Sequence, residues 1–180
     1  GLLSKEQLRR LKESGITRYH CNLESSPRFF ATLCSSHTLE EKIQTIRAAQ
    51  EVGMEVCSGG IIGMGETMED RVELALTVRE LGVKSIPMNV LNPIPGTPLE
   101  GMPPLADDEV LTTVAVFRFI NPDAFLRFAG GRVLIAHIEE KAIKAGINSA
   151  ILGDMLTTVG SKVMEDMEKV QRLGFTIENE

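Results

Sequence analysis

A cysteine followed by a glycine-rich segment is the feature of this sequence with the clearest chemical potential. Cys57 closes a short apolar run, and four glycines follow it within residues 59–65. Glycine weakens a strand and buries no side chain, so sheet packing alone does not explain the cluster. It suits a place where the backbone passes close to a ligand. The cysteine adds a soft metal ligand or a reactive thiol, although a single cysteine is also commonly a small buried hydrophobic residue.

Polar residues also lie near the ends of four other predicted strands, namely Asn22, Asn89, Arg127 and Ser149. In a parallel β/α architecture the carboxyl ends of the strands meet at one face, so these side chains would converge on one pocket with Cys57. Arg127 favours a site role, because a buried arginine needs an anionic partner or several acceptors. Asn22 and Asn89 could equally satisfy backbone groups of the adjoining turns.

The elements that position these residues alternate between helices and strands. Strands are predicted at residues 18–23, 54–57, 85–91, 124–128 and 148–152. Helices are predicted to open at Ser4, Thr38 and Thr67, and to span about 107–120, about 138–144 and the C-terminal segment. Their inward apolar positions are predicted to be Leu8, Leu11, Leu39, Ile43, Ile46, Val72, Leu76, Val78, Val163, Met167 and Val170.

This alternation predicts an α/β fold in one domain, residues 1–180, with a parallel sheet and helical crossovers. Five strands are too few for a closed eight-stranded barrel, so the prediction is a partial TIM (β/α) barrel. The chain begins at Gly1 rather than at a methionine, within an amphipathic helix, which favours a fragment.

Composition and charge exclude several classes of protein. The net charge of −6, without a run of lysine and arginine, argues against nucleic-acid binding. No apolar run approaches the roughly 20 residues that span a bilayer, so a cytoplasmic location is expected. The three cysteines are odd in number, which argues against a disulfide framework. Cys21 and Cys34 are interpreted as packing residues, and the three histidines as structural or surface residues because their spacing suits no zinc site.

Five segments resemble, in the same order, the biotin synthase family of radical S-adenosylmethionine enzymes. They are YHCNLESSP at 19–27, VCSGGIIGMGET at 56–67, IPMNVL at 86–91, PGTPL at 95–99 and LRFAGGR at 126–132. The resemblance covers nearly the whole chain. It implies a TIM barrel, here roughly strands four to eight, and an enzyme that inserts sulfur between two unactivated carbons of dethiobiotin.

The resemblance also implies cofactors and partners. A 4Fe-4S cluster held by a CxxxCxxC motif cleaves S-adenosylmethionine, and a second cluster, 2Fe-2S or a variant, supplies the sulfur. An electron donor such as flavodoxin or ferredoxin and a homodimer are expected. The chain contains no CxxxCxxC motif, so it is expected to be the C-terminal portion and to be inactive alone.

Particular residues take their expected roles from the family motifs. Cys57 and Arg127 match ligands of the second cluster, and Cys21 is a hypothetical additional iron ligand. His20-Cys21 replaces the commoner Asn-His of the family. Arg132 and Ser149 match supporting positions.

The expected cofactor and substrate contacts fall on three other segments. Asn22 and Glu24 match residues that bind the ribose of the nucleoside, with Glu24 where many members have aspartate. Asn89 matches a hydrogen-bonding partner of the ureido ring of the substrate. The pattern G-x-I-x-G-x-x-E, whose backbone packs against adenine, comprises Gly59, Ile61, Gly63 and Glu66.

Two other functions remain open from the sequence. One is a related radical enzyme of the hydrogenase-maturation or methylornithine-synthase type, although such proteins are not expected to combine the Val-Cys-Ser-Gly-Gly segment with the strand arginine. The other is a non-catalytic barrel fragment that acts as a binding module. A partial barrel leaves a strand edge unpaired, which disfavours the module.

Overall fold

The computed structural model describes residues 1–150 and 163–176. Within these ranges the strands are β1 Arg18–His20, β2 Glu55–Cys57, β3 Gly60–Ile62, β4 Ser85–Val90, β5 Phe125–Phe128 and β6 Ser149–Ala150. The α-helices are α1 Lys5–Glu13, α2 Pro27–Leu33, α3 Leu39–Glu51, α4 Met68–Glu80, α5 Asp107–Ile120, α6 Glu139–Ala145 and α7 Val163–Arg172, with a 3₁₀ helix at Arg132–Ile138.

The six strands form one parallel sheet in the order β1-β2-β4-β5-β6, and β3 also pairs with β4. The helices that connect successive strands pack on the sheet and bury apolar residues against it. The prediction of a partial β/α barrel is therefore confirmed. The last predicted strand is observed at Ser149–Ala150, and its predicted positions 151 and 152 lie outside the described residues.

Part of the glycine-rich segment is a strand, which the sequence did not predict. Gly60–Ile62 pairs in parallel with Met88–Val90, and only Ser58 and Gly59 separate β3 from β2. A Cβ atom at Gly59 would lie 1.9 Å from the carbonyl oxygen of Pro87. Glycine is needed here because the neighbouring strand comes too close for any side chain.

The helix starts follow the capping residues that the sequence offers. Ser4, Thr38 and Thr67 each accept a hydrogen bond from the backbone of the first turn, and each forms a complete capping box. Helix α2 was not predicted, although Ser26 caps it and Pro27 occupies its first position, which is a favourable start. Across residues 1–150 and 163–176, none of the helices is both long and apolar enough to cross a membrane.

Two predicted inward faces are wrong in part, because buried charged residues interrupt the apolar pattern. Leu76 is 43% exposed, and α4 instead buries Asp70 and Arg71 together with its apolar residues. In α7, Val163 and Met167 are exposed, and Asp166 is buried. In the other helices, the predicted inward residues Leu8, Leu11, Leu39, Ile43 and Ile46 are buried or packed against the core. Val78 in α4 is also buried, as predicted.

Asp70 joins the start of α2 to the start of α4. Its carboxylate accepts hydrogen bonds from Ser26 Oγ at 2.6 Å, from the Thr67 backbone N–H at 2.8 Å and from Arg28 Nη2 at 2.9 Å. Burial opposes ionisation, but these donors outweigh it and hold the pKa of Asp70 well below its usual value. The ionised form therefore stabilises the fold.

We expect Asp70→Asn to lower the free energy of unfolding at pH 6 by about 2 kcal/mol, as for loss of hydrogen bonds to a charged group. A lowered pKa means that this stabilisation is fully present above the unfolded carboxyl value of about 4 and is lost progressively as the pH falls from there through the lower pKa of the folded state. Urea unfolding of the purified wild-type and variant proteins should therefore show a smaller gap at pH 3 than at pH 6. Glu69→Gln, an exposed neighbour in the same turn, is the control. An equal gap at both pH values would contradict the assignment.

Candidate functional site

Cys57, Arg127 and His20 form a cluster at the carboxyl ends of three strands. Arg127 Nη2 donates a hydrogen bond to Cys57 Sγ at 2.9 Å, and His20 Nδ1 lies 3.3 Å from the same sulfur. His20 and Cys57 are register partners on β1 and β2, so their side chains project to the same side of the sheet. The predicted convergence of Cys57 and Arg127, seventy positions apart, is present in the structure.

The environment of Cys57 favours the thiolate. Burial of the thiol opposes ionisation, but the hydrogen bond with His20 and the charge of Arg127 help to outweigh it, so the pKa of Cys57 lies below its usual value. The hydrogen bond with Cys57 raises the pKa of His20 against the opposing effect of burial. A thiolate is the form of cysteine that binds metals, so the cluster presents a soft anionic ligand.

Arg127 retains an unused donor in the same cluster. Its Nε atom is buried and has no hydrogen-bond partner among the residues that the structure describes. An unsatisfied buried donor costs about 1–3 kcal/mol. A bound group with acceptor atoms would satisfy it.

Asn22 and Glu24 follow β1 on the same face as His20, at alternate positions. Asn22 Oδ1 accepts a hydrogen bond from the Gly59 backbone N–H at 3.1 Å. This bond connects the segment after β1 to the two residues between β2 and β3. Glu24 has a φ of +73°, a conformation that non-glycine residues rarely adopt and that is often found at functional sites.

The carboxylate of Glu24 is only partly satisfied. Lys42 Nζ lies 3.9 Å from Glu24 Oε1 and donates to the Asn22 carbonyl at 2.9 Å. The other carboxylate oxygen, Oε2, is buried and has no partner within the described chain. Burial raises the pKa of Glu24 despite the opposing charges of Lys42 and His20. This oxygen is available to a ligand hydroxyl group.

The Glu66 side chain points inward and holds the turn after β3, residues 63–66, by hydrogen bonds to its backbone. The two oxygens of the buried Glu66 carboxylate accept hydrogen bonds from the backbone N–H groups of Gly63 and Met64, both at 2.7 Å. Gly63 has a φ of +97°, which favours glycine. Glu66 therefore fixes the shape of the turn.

Asn89 bridges the backbone of β3 and the backbone of the turn after β5. Its Nδ2 donates to the Gly60 carbonyl at 3.0 Å, and its Oδ1 accepts from the Gly130 N–H at 2.8 Å. An amide side chain has two N–H donors and two acceptor lone pairs, so one of each remains for a ligand. Ile61, the register partner of Asn89, is half-buried beside it.

Cys21 lies apart from the cluster, although it is next to His20 in sequence. Successive strand residues point to opposite faces, and Cys21 is buried in the hydrophobic core. Burial raises the pKa of its thiol. Cys34 is also distant, at the end of α2, where its sulfur lies 3.4 Å from His37 Nδ1.

His20 was missed as a site residue. The signal that could have found it is the alternation of His20, Asn22 and Glu24, which places three polar side chains on one face of the extended segment.

Of the expected supporting residues, Arg132 begins the 3₁₀ helix after β5, and Ser149 lies on β6, the strand next to β5. Arg132 forms ion pairs with the buried carboxylates of Glu139 and Asp166, and so connects the 3₁₀ helix to α6 and α7. Ser149 is the register partner of Arg127.

The described chain does not hold a complete metal site. Within residues 1–150 and 163–176, no group of three His, Cys, Asp or Glu side chains is placed to bind a metal ion. Cys57 and Arg127 fit two positions of a metal or iron–sulfur site, because one offers a thiolate and the other an unused buried donor. Such a site would take its remaining ligands from elsewhere.

Two family models match the sequence. Residues 87–176 match the Biotin and Thiamin Synthesis associated domain, and residues 1–78 match the Radical SAM superfamily.

Two curated relatives carry the name biotin synthase. The protein from Porphyromonas gingivalis is 60% identical over 181 residues, which is 100% of this chain and 55% of the relative. The protein from Clostridium botulinum is 53% identical over 177 residues, which is 98% of this chain and 56% of the relative. The chain spans about half the length of the curated relatives it matches.

Solved structures resemble the chain in fold. Methylornithine synthase matches with a TM-score of 0.78 at 18% identity, over 99% of this chain and 57% of that one. A maturase of the [FeFe]-hydrogenase matches with a TM-score of 0.75 at 18% identity, over 97% of this chain and 43% of that one. At this identity the likeness shows the fold alone.

Proposed function

The chain belongs to the Biotin and Thiamin Synthesis associated domain family, and on that premise we propose that it forms the C-terminal part of a biotin synthase. The reaction proposed for the full-length enzyme is radical insertion of sulfur into dethiobiotin, with S-adenosylmethionine and iron–sulfur clusters as cofactors. The observation that carries the proposal is the contact of the low-pKa Cys57 thiol with Arg127, in a chain up to 60% identical to named biotin synthases.

Cys57 and Arg127 would hold the auxiliary iron–sulfur cluster, 2Fe-2S or a variant. When bound, such a cluster would supply the sulfur atom that is inserted. The contacts with His20 and Arg127 lower the pKa of Cys57, and the buried Arg127 Nε provides a donor toward the bound group. Cys21 is the weaker candidate as an additional ligand, because its side chain lies in the hydrophobic core.

S-adenosylmethionine would bind across β1 and β3. Glu24 offers a buried carboxylate oxygen without a partner, which suits a ribose hydroxyl, and Asn22 holds the same segment against Gly59. The backbone from Gly59 to Glu66 would pack against the adenine, and half-buried Ile61 would add an apolar surface. The radical-generating 4Fe-4S cluster would take its ligands from residues that this chain does not contain.

Asn89 would orient dethiobiotin. Its amide is held by the backbones of Gly60 in β3 and Gly130 in the turn after β5, and one N–H donor and one lone pair remain for the ureido ring. An electron donor such as flavodoxin or ferredoxin and assembly as a homodimer belong to the same proposal, and both rest on the family resemblance alone.

The two alternative functions have less support. Methylornithine synthase and the hydrogenase maturase share the fold at 18% identity, whereas the named biotin synthases are 53–60% identical. A binding module would not account for a match to the Radical SAM superfamily over residues 1–78.

Anaerobic reconstitution of the full-length protein with iron and sulfide tests the proposal. We expect biotin to form from dethiobiotin only when S-adenosylmethionine and a reductant are present. Cys34→Ala is the control and should remain active, because Cys34 lies outside the group formed by Cys57, Arg127 and His20. Absence of biotin from a protein shown by iron and sulfide analysis to be fully loaded would overturn it.

A further inference from the structure

Arg71 lies at the centre of a buried polar network behind the Gly63–Glu66 turn. Its side chain is 1% exposed. Nε donates to Glu66 Oε1 at 2.7 Å, and Nη1 lies 2.9 Å from Glu109 Oε1 and donates to Thr113 Oγ1 at 3.1 Å. The guanidinium thus connects α4 and α5 to the carboxylate that holds the turn.

We propose that Arg71 is a positioning residue for nucleoside binding, acting through Glu66 on the backbone of Gly63 and Met64. This inference rests on the proposed function, since it assumes that the turn meets the nucleoside of S-adenosylmethionine. Arg71 itself touches no part of the expected ligand site. Arg71 acts through the Glu66 carboxylate, which in turn binds the N–H groups of Gly63 and Met64.

The geometry makes the turn depend on this contact. Glu66 is fully inside the protein, and an ionised carboxylate there needs a positive partner. Without Arg71 the carboxylate would lose its positive partner and turn toward water, and the N–H groups of Gly63 and Met64 would lose their acceptors. Gly63, with its φ of +97°, has many other conformations open to it once those hydrogen bonds are lost.

Arg71 contacts Glu66, Glu109 and Thr113 in different directions, and this requires its planar guanidinium. Arginine presents five N–H donors in a rigid fork, whereas the lysine ammonium is a single point of charge on a flexible chain. Lysine at this position could hold Glu66 but could not also reach Thr113 and Glu109 in the same arrangement. Arg71→Lys should therefore restore only part of the function.

Arg118 offers a matched control for the loss of an arginine network. Its guanidinium donates to four carbonyl groups, those of Asn121, Pro122, Ala124 and Gly146. These groups precede β5 and β6, so they lie at the amino ends of the strands, whereas the site lies at the carboxyl ends. Removing Arg118 should reduce stability without disturbing the Gly63–Glu66 turn.

The test measures binding of S-adenosylhomocysteine to the full-length protein by calorimetry, with the melting temperature of each variant. We expect Arg71→Met to weaken binding by about tenfold, the lower range for loss of a hydrogen bond to a charged group. Arg71→Lys should fall between it and wild type, and Arg118→Met should bind as wild type does. In turnover assays, the KM for S-adenosylmethionine should rise in Arg71→Met, while the KM for dethiobiotin stays unchanged.

The outcomes separate this inference from the proposed function. If wild-type protein binds no S-adenosylhomocysteine, the proposed function fails and the inference fails with it. If wild type binds but Arg71→Met binds equally well, with only its melting temperature lowered as in Arg118→Met, Arg71 is structural and the inference alone is overturned. Should Arg71→Met not fold, Arg71→Lys decides, since wild-type affinity in that variant would also overturn the inference.

Discussion

Replacing Cys57 with alanine is expected to lower biotin formation by the full-length protein by at least about 100-fold. Changes to residues that merely support a metal ligand already cost 10–100-fold, and loss of the ligand should cost more. Cys57 is the thiol that Arg127 and His20 contact, and its lowered pKa favours the thiolate, the form that binds metals. The measurement is biotin formed from dethiobiotin after anaerobic reconstitution.

Iron and sulfide analysis of the same variant provides a readout that does not depend on activity. We expect Cys57→Ala to bind less iron and sulfide than wild type and Cys34→Ala to bind the same amount. Cys21→Ala tests the additional ligand, and unchanged iron and sulfide in that variant would dismiss it. Wild-type activity and cluster content in Cys57→Ala would contradict the assignment of Cys57.

Gly59→Ala should be among the most destabilising small substitutions in the chain. The new Cβ atom would lie 1.9 Å from the Pro87 carbonyl oxygen, which is backbone and cannot rotate away. Forced overpacking of this kind costs about 3 kcal/mol and sometimes more. Separation of the strands would also break the hydrogen bond between Asn22 and the Gly59 N–H. We expect a large fall in the urea midpoint and loss of S-adenosylhomocysteine binding.

Gly101→Ala is the matched control for this substitution, since nothing lies within 4 Å of the position that its Cβ would occupy. It should unfold at nearly the wild-type midpoint. A Gly59→Ala protein as stable as Gly101→Ala would mean that the segment between β2 and β3 does not approach Pro87 of β4 as closely as described.

The fold was largely predictable because its signals are local. Capping residues at Ser4, Thr38 and Thr67 and apolar runs at the strands identify helices and strands without tertiary information. The errors arise where distant contacts decide. Asp70 and Arg71 are polar, so they look exposed in the sequence, yet partners from α2 and α5 allow α4 to bury them.

The proximity of Cys57 and Arg127 was predictable from the sequence, but the contacts of the other candidate residues were not. Family motifs indicated Cys57 and Arg127, and the structure places them in contact. The same motifs could not tell that the Glu66 side chain turns inward to hold backbone groups. Nor could they identify His20, because its contact with Cys57 depends on the register between β1 and β2.

The hydrogen bonds of Asp70 to Ser26 and Thr67 have a consequence for how a ligand would be received. They fasten the segment that carries Glu24 to the segment that ends at Glu66, so the two cannot shift independently. The conformational entropy of ordering both segments is then lost at folding and not at binding. The two segments would therefore be preorganised for a nucleoside, and its binding would need little rearrangement of either one.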